Sequence, residues 1–359
     1  AKYPQNFLLG DVAVDWPLDH ARFRVFVHGD RIGLFFPLDG SGLSRVMTTD
    51  IAAGAERHET PELTLDELQA AFASTTCLPV TLSRPEWLAR FRTHHRIVDR
   101  YRRGRVFVAG DAAHIHSPAG GQGMNTGLHD AANLAWKLVG VLRGGADDAL
   151  LDSYGAERLP VAQEVLRFTD CIFSAAAGQE GWRAWLRDAL APFVVGPASA
   201  LDLVQDRAFR KFAQLDVAYP PGAAVADAAR GPGPRPGERA PNAQLTRHRD
   251  LFDLLAGYRF HVLALSRRPL SGEDAAAIGA DVAALRGERV ATHLIARLAV
   301  GDEAAVERVE RSDVFDRYGL ADDAAQALLL VRPDGHIAWR ADSLDVAGCA
   351  AFLRQLGAG

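Results

Sequence analysis

The chain has 359 residues, enough for two or three domains with buried cores, and its 48% hydrophobic and 24% charged content is that of an ordinary globular protein. A formal charge of -5 gives no electrostatic reason to expect nucleic acid, and no apolar run approaches the length of a membrane span. Cys77, Cys171 and Cys349 lie far apart without a CxxC pair, which argues against a disulfide framework or a thiolate metal site and, with no leader pattern at the start, points to a cytoplasmic protein.

Residues 7 to 49 carry the pattern of strands. The β-rich runs Phe23 to His28, Ile32 to Leu38 and Leu43 to Thr49 are separated by the turns His28-Gly29-Asp30-Arg31 and Asp39-Gly40-Ser41-Gly42, which predicts an antiparallel meander. A helix is predicted over Thr64 to Ser74, with Thr64 as N-cap, Glu67 completing a capping box, and Leu65, Leu68, Ala71 and Phe72 on one face. Residues 87 to 98 read as extended. The basic residues Arg96, Arg100, Arg102, Arg103 and Arg105 that follow read as a solvated approach to the next strand.

Arg105-Val106-Phe107-Val108-Ala109-Gly110-Asp111 predicts a short buried strand ending in Gly-Asp. A Gly-, His- and Pro-rich loop follows to Gly123, and then a helix over Met124 to Arg143 with Leu128, Ala131, Ala135, Leu138 and Leu142 on one stripe. Further helices are expected between Ala149 and Leu215. Residues 219 to 243, with six prolines, read as a linker. Beyond it come a strand at Phe260 to Leu265, a helix at Gly272 to Leu285 and a strand at Thr292 to Leu298. A hairpin of Leu328 to Val331 with His336 to Arg340 and a closing helix at Val346 to Leu356 complete the pattern. Cys349 falls on the apolar stripe of that last helix.

A carboxylate at the end of a strand in an open α/β sheet stands where such sheets hold ligands, and Asp111 can accept hydrogen bonds from a sugar-like hydroxyl. The run Pro118-Ala119-Gly120-Gly121-Gln122-Gly123-Met124-Asn125 leads straight into a helix. Its glycines allow close backbone approach, and the free N–H groups at a helix start favour negative charge.

The order and spacing of Gly110-Asp111-Ala112-Ala113-His114, Pro118, Gly120 to Gly127 and Asp130-Ala131-Ala132-Asn133-Leu134-Ala135-Trp136-Lys137-Leu138 resemble the second flavin-binding motif of the single-component FAD aromatic-ring hydroxylases. The phenol hydroxylase and polyketide hydroxylase branches of that family are the nearest in pattern. The resemblance continues through Leu151 to Tyr154 and Glu157-Arg158-Leu159-Pro160. It implies an α/β (α+β) fold like the C-terminal part of para-hydroxybenzoate hydroxylase, with an antiparallel substrate-domain sheet and an appended thioredoxin-like domain without CxxC. The implied division is a substrate domain over 1–98, an FAD-binding portion over 99–218, the linker at 219–243 and the thioredoxin-like domain over 244–359.

The same resemblance implies that Gly110, Asp111, Pro118, Gly120, Gly121, Gln122, Gly123, Met124 and Asn125 bind the flavin, Asp111 through the ribityl chain and Pro118 beside the isoalloxazine ring. NAD(P)H would reduce FAD, and a flavin C4a-hydroperoxide formed with molecular oxygen would hydroxylate a small aromatic substrate, a phenol or a polyketide ring. Phe26, Phe35, Phe36 and Met47 are candidates to line the substrate pocket, although alternate positions on a strand face opposite sides. His28 is a candidate to orient or deprotonate a phenol. His114 and His116 lack a third ligand at suitable spacing, so no metal is expected. The family's N-terminal Gly-x-Gly-x-x-Gly turn is not found before residue 110, and the expectation is that the segment for the ADP half of FAD has been removed or belongs to a separate polypeptide, so that a separate N-terminal FAD-binding fragment, or a homodimer, is the expected partner. Baeyer–Villiger oxygen insertion on the same scaffold, or a non-catalytic binding chain, are the alternative functions.

Overall fold

The computed structural model describes residues 2–29, 31–38, 40–50, 62–115, 122–177, 202–226, 231–298, 307–308, 313–322 and 325–358. Compactness divides it into two units. The first holds Ala1–Val98, Asp111–Met124 and Ala162–Phe212, the second Asp99–Gly110, Asn125–Val161 and Ala213–Gly359, so the units interleave along the chain.

In the first unit, β1 (Lys2–Asp15), β2 (Arg24–His28), β3 (Arg31–Pro37), β4 (Ser44–Thr49) and β5 (Thr81–His94) form one sheet in the order β2-β3-β4-β1-β5. The meander of β2, β3 and β4 is as expected, and β1 joins it in the middle of the sheet by pairing antiparallel to β4 and β5. The extended stretch expected from residue 87 begins earlier, at Thr81. Helix α1 (Leu65–Thr76) covers one sheet face. Its capping box is complete, with the Thr64 hydroxyl accepting from the Glu67 N–H and the Glu67 carboxylate accepting from the Thr64 N–H. A Cβ added at Gly33 would touch Thr75 and Phe72, and one added at Gly10 would strike Leu68, so residues in phase with these two point at α1. Pleating then sends Ile32, Leu34 and Phe36 to the other face.

Around the motif or just before it, β6 to β9 are two-residue ladders at Arg96–Ile97, Arg102–Arg103, Val106–Phe107 and His114–Ile115; β7 and β8 lie in the second unit, β6 and β9 in the first. The buried strand expected over Val106 to Ala109 is therefore corrected. β8 has two residues, pairs with the arginines of β7, and leaves Val106 68% exposed. Helix α2 (Gly123–Gly144) matches the expected span, but its buried face is the opposite of the one expected. Leu128 is 58% and Leu142 76% exposed, whereas Thr126, Asp130, Asn133, Trp136, Lys137 and Gly140 are buried. The apolar stripe lost to a stripe of polar and small residues because that stripe meets charged partners on other elements.

The rest of the second unit is a sheet in the order β12-β11-β10-β13-β14, formed by β10 (Phe260–Leu270), β11 (Val290–Leu298), β12 (Glu307–Arg308), β13 (Gln326–Val331) and β14 (Ile337–Ala341). β10 runs parallel to β11 and antiparallel to β13. After α3 (Ala149–Ala177) and α4 (Asp202–Phe212) come α5 (Leu251–Leu254), α6 (Gly272–Ala283), α7 (Asp313–Arg317) and α8 (Val346–Gln355). Cys349 on α8 is fully buried beside Phe352 and Leu353, and burial pushes its thiol up to about 12, so it serves as a small apolar residue. The stretch read as a linker is bound down. Tyr219, Ala224, Val225, Ala240 and Ala243 are buried, and the Arg340 guanidinium donates to the carbonyls of Pro232 (2.7 Å) and Pro234 (3.0 Å).

Three histidines of this unit make it acid-sensitive. Burial pushes His129 and His293 down to about 4, and lowers His261, whose Nδ1 lies 3.2 Å from Nε2 of His293. Unfolded imidazoles protonate near pH 6.5, while His129 and His293 stay neutral in the fold until about pH 4 and His261 is held below its unfolded value. The unfolded chain thus binds more protons in that window, and stability falls as pH drops through it. Thermal midpoints at pH 7 and pH 5 should differ in this sense, and His293→Gln should flatten the slope; an unchanged slope would refute the assignment.

Candidate functional site

The motif loop starts at Gly110, which adopts a left-handed φ of 57° that favours glycine and opens a single 3-10 turn, Gly110–Ala112. Gly127 packs against it: a Cβ there would lie 3.3 Å from the Gly110 Cα. Three side chains fix this backbone. The Asp130 carboxylate accepts the Gly110 N–H at 3.0 Å, and Tyr154 donates its hydroxyl to the Val108 carbonyl at 2.8 Å. Arg158 donates through Nε to Asp130 at 2.7 Å, through Nη2 to the Thr126 carbonyl at 3.2 Å and through Nη1 to the Tyr219 hydroxyl at 3.2 Å. Both members of the Asp130–Arg158 pair are 0% exposed. The first turn of α2 is held again by Gln214, whose side-chain amide donates to the Thr126 hydroxyl at 2.7 Å.

These groups come from two consecutive helices, α2 and α3, joined by the ion pairs Asp130–Arg158 and Lys137–Glu157. Burial and the nearby Asp130 charge raise Tyr101 and Tyr154 above the usual phenol range, so both remain neutral hydrogen-bonding groups.

Within the first unit, Asp111 is exposed, Gly123 at the α2 start is half-exposed and Met124 is 75% exposed; Asn125, in the second unit, is half-exposed. Gln122 is buried, and its side-chain amide donates to the Lys211 carbonyl at 3.0 Å and the Phe212 carbonyl at 3.4 Å, so it anchors the loop to the end of α4 and leaves the α2 start without its side chain. Pro118, Gly120, Gly121 and His116 lie outside the described residues. His114 is buried on β9, and among the described residues no cluster of three metal-ligating side chains occurs.

The aromatic candidates on the sheet are sorted by the pleat. Phe35 is fully buried with its ring 4.4 Å from Trp16, and Phe26 packs near Trp16 and Phe72, so both belong to the α1-side core. Met47 joins Phe7, Ile32 and Leu34 on the opposite face, with Leu9 and Phe91 beside them. Phe36 shares that face, stacks on Phe23 at 4.5 Å and is 37% exposed. His28 is exposed at the end of β2, next to Gly29 in a left-handed turn.

Asp130, Tyr154, Arg158 and Gln214 were not singled out from sequence as members of the site. The only available signal was their charge or hydrogen-bonding capacity on otherwise apolar helices, and pairing residues 28 or 88 apart requires knowing how the helices fold back.

Two family models match the chain, an FAD binding domain over residues 7–169 and an aromatic-ring hydroxylase C-terminal domain over residues 233–357. Pentachlorophenol 4-monooxygenase of Sphingobium chlorophenolicum is 32% identical over 354 residues, covering 94% of this chain and 58% of that protein. 6-Methylpretetramide 4-monooxygenase of Streptomyces rimosus is 41% identical over 189 residues, 52% of this chain and 32% of that protein. Among solved structures, the anhydrotetracycline hydroxylase OxyS from Streptomyces rimosus superposes with a TM-score of 0.67 at 28% identity, covering 99% of this chain and 64% of that one. The chain thus spans less than two thirds of the length of these relatives. Among the described residues no helix is long and apolar enough to cross a membrane.

Proposed function

Because the chain belongs to the FAD-dependent aromatic-ring hydroxylase family, we propose that it supplies the flavin-contacting loop and the substrate-facing sheet of a monooxygenase that hydroxylates a phenolic or polyketide ring. The observation that carries this reading is the Gly110 turn, where a left-handed glycine, clamped by Asp130 and packed on Gly127, delivers the exposed Asp111 carboxylate to the head of a helix-start loop. These residues fit a flavin. Asp111 can accept ribityl hydroxyls, and the amides at the start of α2 can face the electron-rich pyrimidine edge, where the helix dipole favours negative charge.

Bound at this loop, FAD would supply the oxygen-activating chemistry for an electron-rich ring, with NAD(P)H as the reductant. The protein's part is to bind, orient and exclude water. Pro118 and the glycines at 120 and 121 would take the flavin-side positions the resemblance assigns them. Phe36 and Met47 would offer the substrate an apolar face, whereas Phe26 and Phe35 serve the core. His28, exposed at a hairpin end, would act on a phenol only where the substrate reaches that turn.

Asp111→Ala should weaken FAD binding by about 1–3 kcal/mol, since a hydroxyl network loses its acceptor. Titration of FAD into the purified protein, followed by quenching of flavin fluorescence, measures this. Equal affinity in the variant would count against the flavin reading of the loop.

A further inference from the structure

The buried stripe of α2 continues past the Gly110 clamp, and its later turns are held by α3 and by the C-terminal residues. Arg332, just after β13, makes a two-pronged contact with Glu157 of α3, Nη1 to Oε1 at 2.8 Å and Nη2 to Oε2 at 2.9 Å. Asn133 and Lys137 of α2 donate to the same carboxylate at 2.6 Å and 2.8 Å. Asp334, in the turn between β13 and β14, accepts from Arg332, from Asn133 at 3.2 Å and from the Trp136 indole at 3.3 Å. The Arg332 guanidinium also lies 5.0 Å from the Trp136 ring centroid and 4.9 Å from that of Tyr219. The Tyr258 hydroxyl donates to the Ala132 carbonyl.

Sterics lock the far end of the helix independently of these charges. A Cβ at Gly140 would lie 2.7 Å from the Leu356 carbonyl oxygen, and one at Gly144 would lie 1.9 Å from that of Gly357, so the backbone after α8 rests directly on α2.

The two networks meet at adjacent residues. Glu157 belongs to the Arg332 cluster, and Arg158 holds Asp130, Thr126 and through Asp130 the Gly110 N–H. Lys137, Glu157, Arg332 and Asp334 balance in charge and are each at most 3% exposed, so moving one leaves an opposite charge without its partner in a dry setting. Moving any of these four side chains therefore breaks at least one buried ion pair.

We propose that Arg332 and Asp334 are positioning residues for the Gly110 turn: the C-terminal hairpin sets that turn and the Thr126 backbone of α2 through Glu157–Arg158. This rests on the reading of the motif loop as the flavin contact only for its consequence in catalysis. The C-terminal domain is then a working part of the flavin site and not an appendage to it.

The test is hydrogen exchange at the Gly110 amide, which reads the clamp without requiring flavin. Arg332→Gln should speed exchange there tenfold or more, with Asp334→Asn, which keeps the side-chain shape, as the milder variant should Arg332→Gln fold poorly. Arg332→Lys, which keeps the charge but loses the fork, should fall between them and the unmodified protein. The control is Leu263→Ala, which opens the core on the sheet face away from α2 and lowers the melting temperature without touching the network. It should leave Gly110 exchange within about twofold. Equal acceleration in the control, or unaltered exchange in both Arg332→Gln and Asp334→Asn, would overturn the proposal. Failure of the flavin reading shows separately, as unchanged FAD affinity in Asp111→Ala.

Discussion

Replacing Arg158 with Ala should destabilise the fold by about 3–5 kcal/mol, the range for removing one partner of a buried ion pair. The guanidinium is fully buried and makes hydrogen bonds to Asp130, Thr126 and Tyr219. Its loss strands a carboxylate that is itself 0% exposed. Burial then opposes the charged form of Asp130, because its cation is gone. The variant should therefore lose less stability at mildly acidic pH than at pH 7. Asp130→Asn in the Arg158→Ala background should recover part of the loss, since a neutral amide costs less to bury than an unpaired carboxylate and can still accept the Gly110 N–H. Denaturant unfolding of the two single variants and the double variant measures the coupling. A loss under 1 kcal/mol for Arg158→Ala, or strict additivity, would mean that water reaches the pair.

How much of this was legible in the sequence depends on how far away each partner lies. The α1 capping box was readable because Thr64 and Glu67 are three residues apart and satisfy each other locally. The span of α2 was readable from its periodicity and from the glycines that end it. Its buried face was not. Leu128 and Leu142 look like core on any hydrophobicity scale, and they are exposed because the stripe of Asp130, Asn133 and Lys137 finds ionic partners at 157, 158 and 334, which no local pattern encodes. The hold on Pro232 and Pro234 in the Pro-rich stretch was illegible for a related reason. Prolines do not make a segment loose when their carbonyls are held by a buried arginine over 100 residues away. The Gly-Asp motif was legible in full as a motif, but its supporting clamp was not.

Phe35→Ala should cost about 3–5 kcal/mol, the range for truncating a fully buried aromatic ring, whereas Phe36→Ala, one residue on, should cost less than about 1 kcal/mol. The argument is the pleat. Phe35 pairs with Val46 and turns toward α1, where it is 0% exposed among Trp16, Val46 and Phe72. Phe36 pairs with Arg45 and turns the other way, where its ring has Phe23 on one side and solvent on the other. Removing the first ring opens a cavity that rigid neighbours on two elements cannot fill. Removing the second exposes little that was not already wet. The functional consequences should run in the opposite order: if the face that carries Phe36 and Met47 receives the aromatic substrate, Phe36→Ala raises KM with kcat nearly unchanged, the signature of lost uniform binding. Phe35→Ala should leave KM per folded molecule close to its original value. Stability by denaturant unfolding and initial rates across substrate concentration, measured on both variants, separate the two faces. Equal stability losses at positions 35 and 36 would show that the second face is covered as tightly as the first, leaving no room there for a ring.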